Sequence, residues 1–328
     1  MNFEQLFSSF ANIKVAVVGD VMLDTYMWGN VDRISPEAPV PIVALKNKEY
    51  RIGGAGNVAL NTVSLGASTT ILSVIGNDED GKQLKTLFEQ NNINCSYLIE
   101  STDRITTNKI RVISRSQQMM RLDAELTNDL HESLEDALIE KVKTYFSQSK
   151  PDVLVLEDYN KGVLTERVIK ELIALCKQHD VVTAVDPKRK NFFSFKGVDI
   201  FKPNLKEVKE GLNLLSDEVS DASLQNIHAA LNKQLQHHIS LITLSEKGIF
   251  YQSPNQHKII PTHVRSIADV SGAGDTVIAV ASLVYAATKD IDLVAEMANI
   301  AGGIVCEEVG TAAIDKGKLL EECLLLLK

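Results

Sequence analysis

The chain holds little sulfur and shows no sign of using it as a staple. Its four cysteines, Cys95, Cys176, Cys306 and Cys323, include no pair at CxxC spacing and no accompanying histidine cluster. That argues against a zinc site and against a disulfide framework, and fits reduced thiols, most of them in the core of a cytoplasmic protein. A basic surplus is missing as well. The formal net charge is −9, which speaks against a general nucleic-acid or anionic-membrane binder. Long apolar runs are absent: the longest, Val277–Ala287, falls short of the ~20 residues of a membrane span. The opening MNFEQLFSSFANIK has neither the basic start nor the apolar centre of a signal peptide. GxxxxGK[ST] does not occur and no GxGxxG follows the first apolar run, which disfavours P-loop and dinucleotide folds.

What is present is ordinary globular composition in 328 residues, 45% hydrophobic and 23% charged, enough for one large domain over 1–328. Short runs rich in Val, Ile and Leu end in polar residues: KVAVVGD (14–20), TILSVIGND (70–78), DVLVLEDY (152–159), VVTAVDP (181–187), DIFKPN (199–204) and SLITLSEKG (240–248). Runs without strict alternation predict strands buried on both faces of a parallel sheet. Helical patterns lie between them, as in ERVIKELIALCK (166–177), where Val168, Ile169, Leu172, Ile173 and Cys176 share a face. The expected architecture is an α/β sandwich around a mostly parallel sheet, with ligands at the carboxyl ends of the strands. Asp20, Asp158, Asp186, Asn204 and Ser245 are delivered there. Two stretches depart from this pattern. Residues 26–52 carry Pro36, Pro39 and Pro41, and residues 104–123 alternate Ile110 and Val112 with Lys109 and Arg111. Both read as antiparallel strands outside the main sheet, forming a small β lid.

Two glycine clusters carry the chemistry. DVSGAGDT (269–276) precedes the apolar run VIAVASLVYAAT. Gly272 and Gly274 allow close backbone approach, and amides at a helix start favour an anion such as a phosphate. Asp275 has two readings: a helix cap, or a base that accepts a proton from an attacking hydroxyl while the loop amides stabilise a phosphoryl group in transfer. RIGGAGNVALNTVSLGA (51–67) opens another helix; Gly53, Gly54 and Asn57 suit sugar hydroxyls or form a tight strand-to-helix turn. The stretch 104–121 holds Arg104, Lys109, Arg111, Arg115 and Arg121 with no Asp or Glu. It is either a solvated strand face or a clamp for a substrate that already carries phosphate.

The pairing of GGAGN with DVSGAGDT resembles the ribokinase, or PfkB-type, family of sugar kinases over essentially the whole chain. That resemblance implies a ribokinase-like three-layer sandwich with a small β lid, ATP and Mg²⁺ as cofactors, and a sugar or sugar phosphate as acceptor. It implies Asp275 as the base, with the amides of Gly272, Ala273 and Gly274 as the anion hole. VVGDVMLDTYMWGNVDRISPEAPVPIV, SQQMMRLD, EDYNKG, VDPK and KPNLKE are similar to the branch that phosphorylates D-glycero-D-manno-heptose 7-phosphate at O1, a step toward the lipopolysaccharide core, here in stand-alone form. By the same resemblance Asp24 holds sugar hydroxyls; from the basic bias Lys109, Arg111 and Arg121, with Arg33 as a further one, are the candidates for the sugar phosphate, and Asp158 and Lys161, at the end of another apolar run, are expected to reach toward the reacting centre. Asn204 and Glu207, at i and i+3, are expected to organise magnesium through water, with Lys188 beside them at the phosphates; alone, the pair is a helix cap. Ser245, Lys247 and Gly248 match the segment that supports ATP, and Asn299 is expected near the adenine. Apolar alternation on the lid strands predicts a homodimer through the lids. Rivals are a kinase of the same type for another sugar, and a non-catalytic sugar-phosphate sensor on the same fold.

Overall fold

The structure, a computed structural model, describes residues 2–115, 117–215 and 219–327; Ser116, within the expected lid span, lies outside them. Helix α1 (Phe3–Ser9) leads into β1 (Lys14–Gly19), a long hairpin of β2 (Val21–Ile34) and β3 (Pro41–Gly54), and α2 (Ala55–Ser64). Next come β4 (Ser68–Leu72), β5 (Val74–Gly76), α3 (Glu79–Gln90), β6 (Ile99–Ser101) and a second hairpin, β7 (Asn108–Ser114) and β8 (Gln117–Ala124). The middle of the chain supplies α4 (Glu132–Gln148), β9 (Val153–Glu157), α5 (Glu166–Gln178), β10 (Val182–Asp186), β11 (Ile200–Phe201), α6 (Leu205–Leu212), α7 (Asp221–Leu235) and β12 (Ile239–Thr243). It closes with β13 (Ile249–Gln252), β14 (His257–Ile260), α8 (Ala273–Thr288), α9 (Ile291–Val305) and α10 (Lys316–Leu326).

The main sheet has the order β14-β13-β12-β11-β10-β9-β1-β4. Pairing is parallel from β4 to β12 and antiparallel at β13 and β14. Side chains alternate across a strand, so the two faces collect different helices. Val15, Val17, Val153 and Val155 pack with Val58 of α2, Ile278 of α8 and Ile300 of α9. Ala16, Val18, Leu154 and Leu156 pack with Leu138 of α4, Ile169 of α5 and Leu231 of α7. The result is three layers, helix on sheet on helix. Among the described residues no helix is long and apolar enough to cross a membrane.

The second sheet, β3-β2-β7-β8, corrects one expectation. Each hairpin is antiparallel, but the two are joined in parallel through β2 and β7, with Leu23 opposite Asn108 and Gly29 opposite Ser114. The reason is directional: β2 runs from a buried start, Val21–Tyr26, to an exposed end at Ile34, and Asn108 at the start of β7 is buried too. Both strands leave the core the same way. TILSVIGND is also not one strand. It breaks at Ser73, whose hydroxyl donates to the Gly19 carbonyl at 2.6 Å, and β5 pairs with β6 in a small separate sheet.

Candidate active site

α8 is apolar on every side and buried against the sheet, α2 and α9. Its start is set by Gly272, with φ of 80°, a left-handed conformation that glycine adopts without strain. A Cβ there would stand 2.8 Å from the Asn57 amide nitrogen, so the close approach of the two glycine clusters also depends on it. The first-turn amides have no helical partner. The Ala273 N–H reaches the Val270 carbonyl at 3.3 Å, whereas those of Gly272 and Gly274 find no backbone acceptor among the described residues. They leave a donor pair at the positive end of a helix dipole.

Asp275 lies one residue further on and is 2% exposed. Its Oδ2 accepts from Asn57 Nδ2 at 2.8 Å and its Oδ1 from the Tyr159 hydroxyl at 2.6 Å. It does not cap its own helix with its side chain. Burial pushes its pKa up to about 6, while the Tyr159 and Asn57 hydrogen bonds pull it down. A carboxyl in that range is suited to taking a proton near neutral pH.

Glu157 and Asp186, at the ends of β9 and β10, bring carboxylate oxygens within 4.8 Å of each other and of Asp275. Asp186 is bound by Lys202 at 2.7 Å and Lys188 at 3.3 Å. Burial alone would raise its pKa; the two ammonium groups more than offset that and hold it low. Glu157 is fully buried and neither of its oxygens has a hydrogen-bond partner. Burial, then Asp186 and Asp275, drives its pKa well up. An orphaned buried carboxylate is costly, and a set of carboxylate oxygens fits a hard cation such as magnesium. Asn204 and Glu207 form a capping box at α6, each side chain bonded to the other's backbone N–H, and Glu207 Oε1 pairs with Lys188 at 2.6 Å. Glu207 is therefore joined to Asp186 only through Lys188, which pairs with both, and neither Glu207 nor Asn204 is among the clustered carboxylates.

Asp24 is buried on β2 and accepts from Arg111 at 2.6 Å. Gly53 lies directly against its carboxylate. Asp24 raises the Arg111 pKa against the opposing effect of burial. Lys109, two residues before Arg111, has its ammonium 5.3 Å from the centre of the Tyr159 ring, and burial lowers its pKa. Gly54, with φ of 60°, ends β3 and starts α2. Asp24, Gly53, Asn57, Lys109, Arg111, Asp275 and the loop glycines thus meet at one mouth, between the second sheet and the carboxyl edge of the first.

Other expected residues lie elsewhere. Arg33 is exposed near the far end of β2. Arg121 is half exposed on β8 and paired with its neighbour Asp123 at 2.8 Å. Asp158 accepts from the Asn160 N–H, stands beside Asp20, and has its pKa raised to about 7, first by burial and then by Asp20. It is not among the carboxylates around Asp275; strand alternation gives that place to Glu157. Lys161 pairs with Glu125 at 2.8 Å. Ser245, Lys247 and Gly248 form the turn between β12 and β13, and Asn299 donates to the Pro261 carbonyl at 2.9 Å, fixing the start of the segment that leads to Gly272. Sequence reasoning passed over Glu157 and Tyr159. The parity of β9 was a signal for the first; nothing marked the second.

An α/β sandwich that sets an anion-binding helix start beside a buried carboxylate has the layout of a small-molecule kinase. Residues 12–316 match the pfkB family carbohydrate kinase, and the chain belongs to that family of ATP-dependent sugar kinases. The Bifunctional protein HldE of Sulfurimonas denitrificans is 37% identical over 308 residues, and that of Aliarcobacter butzleri 38% identical over 310. Both matches cover 94% of this chain but 64% of the relative, so the chain spans about two thirds of the length of these relatives. The fold is shared with phosphofructokinase-2 from Escherichia coli in complex with potassium, at TM-score 0.80, 16% identity and coverage of 96% of this chain and 99% of that one. It is also shared with Arabidopsis thaliana ribokinase complexed with ribose and ATP, at TM-score 0.72, 15% identity and coverage of 94% and 99%. The ribokinase-like sandwich expected from the sequence is the fold observed.

Proposed function

We propose that the chain transfers the γ-phosphoryl group of ATP to O1 of D-glycero-D-manno-heptose 7-phosphate, giving the 1,7-bisphosphate. The observation that carries this reading is the Asp275 carboxylate, buried and held by two donors at the start of α8, beside amides that have no other acceptor. Asp275 takes the proton of the attacking hydroxyl. The amides of Gly272 and Gly274, with Lys202 next to Gly274, stabilise charge on the phosphoryl oxygens. Asp24, Asn57 and Gly53 are the sugar-binding set. Lys109 and Arg111 supply the cationic contacts that a sugar phosphate needs and a neutral sugar does not. Likeness of VVGDVMLDTYMWGNVDRISPEAPVPIV and EDYNKG to the heptose-phosphate branch supports the particular sugar. Magnesium, when bound, neutralises the triphosphate charge, and Glu157 and Asp186, backed by Glu207, are the residues to hold it. Dependence on ATP favours the cytoplasm as the place where the chain works.

The test is ADP release with ATP and Mg²⁺ against a panel of sugars and sugar phosphates, run with the chain and with Asp275→Asn. Heptose 7-phosphate should be the preferred acceptor, and Asp275→Asn should lower kcat by at least about 10²-fold, the low end for a general base. Preference for a neutral sugar would overturn the substrate, and tight binding without ADP release would make the protein a sensor.

The second sheet bears exposed apolar side chains, among them Ile34, Leu45, Met120 and Leu122, with Val40 exposed in the turn between β2 and β3. Such a patch marks an association surface, and two copies pairing through these strands would cover it. A monomeric mass by light scattering at micromolar concentration would count against the pair.

A further inference from the structure

Tyr159 sits at the centre of the site without a part in the chemistry described so far. Three separate parts of it are held. Its backbone N–H, with those of Lys161 and Val163, donates to the buried Asp20 carboxylate at 2.8, 3.0 and 3.0 Å. Its ring has two ammonium groups near it, Lys109 of β7 at 5.3 Å and Lys188 of the loop after β10 at 5.4 Å from the ring centre, both within range of a cation–π attraction. Its hydroxyl donates to Asp275 Oδ1 at 2.6 Å. A residue gripped by groups from four parts of the chain is fixed more firmly than packing of one aromatic ring requires.

A carboxylate turns about its last single bond unless both oxygens are held. Asn57, on α2, holds one oxygen of Asp275, and Tyr159, after β9, holds the other. We propose that Tyr159 is a positioning residue for Asp275, its hydroxyl acting with the Asn57 amide to aim the carboxylate at the acceptor's hydroxyl. This deepens the reading of Asp275 as the base and rests on it. The phenol does not compete for the transferred proton: its O–H is the donor of the pair and Asp275 Oδ1 the acceptor. It acts as a donor throughout, the third member of a nucleophile–base–orienter arrangement. Asp20 serves the same end one step further back, since its three amide bonds shape the turn that carries the ring.

Tyr159→Phe removes the hydroxyl and keeps the ring beside Lys109 and Lys188. The expected result is a kcat lowered about 10- to 100-fold, the cost of a small misplacement of a reacting group, with KM for the sugar phosphate and for ATP little changed and the thermal unfolding curve intact. The decisive comparison is a double-mutant cycle. If Tyr159 acts through Asp275, Tyr159→Phe has almost no further effect in an Asp275→Asn background. An equal loss in both backgrounds, a raised KM at normal kcat, or a wild-type kcat in Tyr159→Phe overturns the assignment while leaving the base in place. Near-normal turnover of Asp275→Asn alone removes the base itself, and the positioning role goes with it.

Discussion

Two groups of polar side chains are buried against the main sheet, and they are resolved in opposite ways. At the carboxyl edge, Glu157, Asp186 and Asp275 are packed within reach of one another, with Lys188 and Lys202 bound to Asp186 and Glu157 left without a hydrogen-bond partner among the described residues. Further along the sheet, Ser240 on β12 stands between His228 of α7 and His237, with oxygen–nitrogen distances of 2.9 and 2.6 Å. The hydroxyl has one proton, so it donates to one ring and accepts from the other. Burial, and then His228, drops the His237 pKa to about 3, and burial lowers that of His228. The histidine group is neutral, and one nitrogen of each ring is paired through Ser240. The carboxylate group is charged and incomplete. Polar clusters that serve stability close on themselves, whereas those that serve chemistry leave capacity for a ligand.

Replacement at Glu157 sharpens that contrast most. Glu157→Gln removes a desolvated carboxyl whose ionised form accepts no hydrogen bond among the described residues and gains less from the charges of Lys188 and Lys202 than burial, Asp186 and Asp275 cost it. Turnover should fall about 10-fold or more, as for an altered metal or substrate ligand, while the thermal midpoint rises by about 1–3 °C, equivalent to roughly 1 kcal/mol. Opposite signs in activity and stability mark a strained functional site. Steady-state kinetics with a melting curve on the same sample checks both. A Glu157→Gln variant that melts earlier and turns over normally would make Glu157 a structural group like the histidines.

Much of this was open to sequence reasoning, and the failures have physical causes. The apolar runs KVAVVGD, DVLVLEDY and VVTAVDP became parallel strands because they are buried on both faces, and VIAVASLVYAAT became a buried helix whose glycine start and Asp275 lie where the motif suggests. The lid segments were visible through their alternation. Their parallel junction was not, because pairing between distant strands leaves no local mark. The sequence pointed to Asp158 and passed over Glu157, one residue before it at a strand end, where a single step changes the face. The cap formed by Asn204 and Glu207 was written in their spacing, which cannot say what else they bind. Tyr159 was illegible: its role depends on Asn57, Asp20 and Asp275, each more than a hundred positions away in sequence, and its own neighbours carry no sign of them.

The smaller effect belongs to the histidine group and separates the two clusters by pH. His237 is held neutral when folded and takes a proton readily when unfolded. Its contribution to stability is therefore present above its ordinary pKa of 6.5 and is lost as pH falls toward about 3. The slope is at most about 1.4 kcal/mol per pH unit for one such group. Glu157 works the other way: its raised pKa makes its contribution largest at low pH and lost as pH rises. Between pH 6.5 and 5 the two oppose each other, so the wild-type slope alone does not separate them. Urea unfolding of His237→Phe does, since the new ring can pack on Phe201, which His237 already faces at 5.5 Å. Stability of His237→Phe should fall less steeply over that interval than that of the wild type, with turnover at neutral pH unchanged. Identical slopes would place the acid sensitivity outside the histidine group.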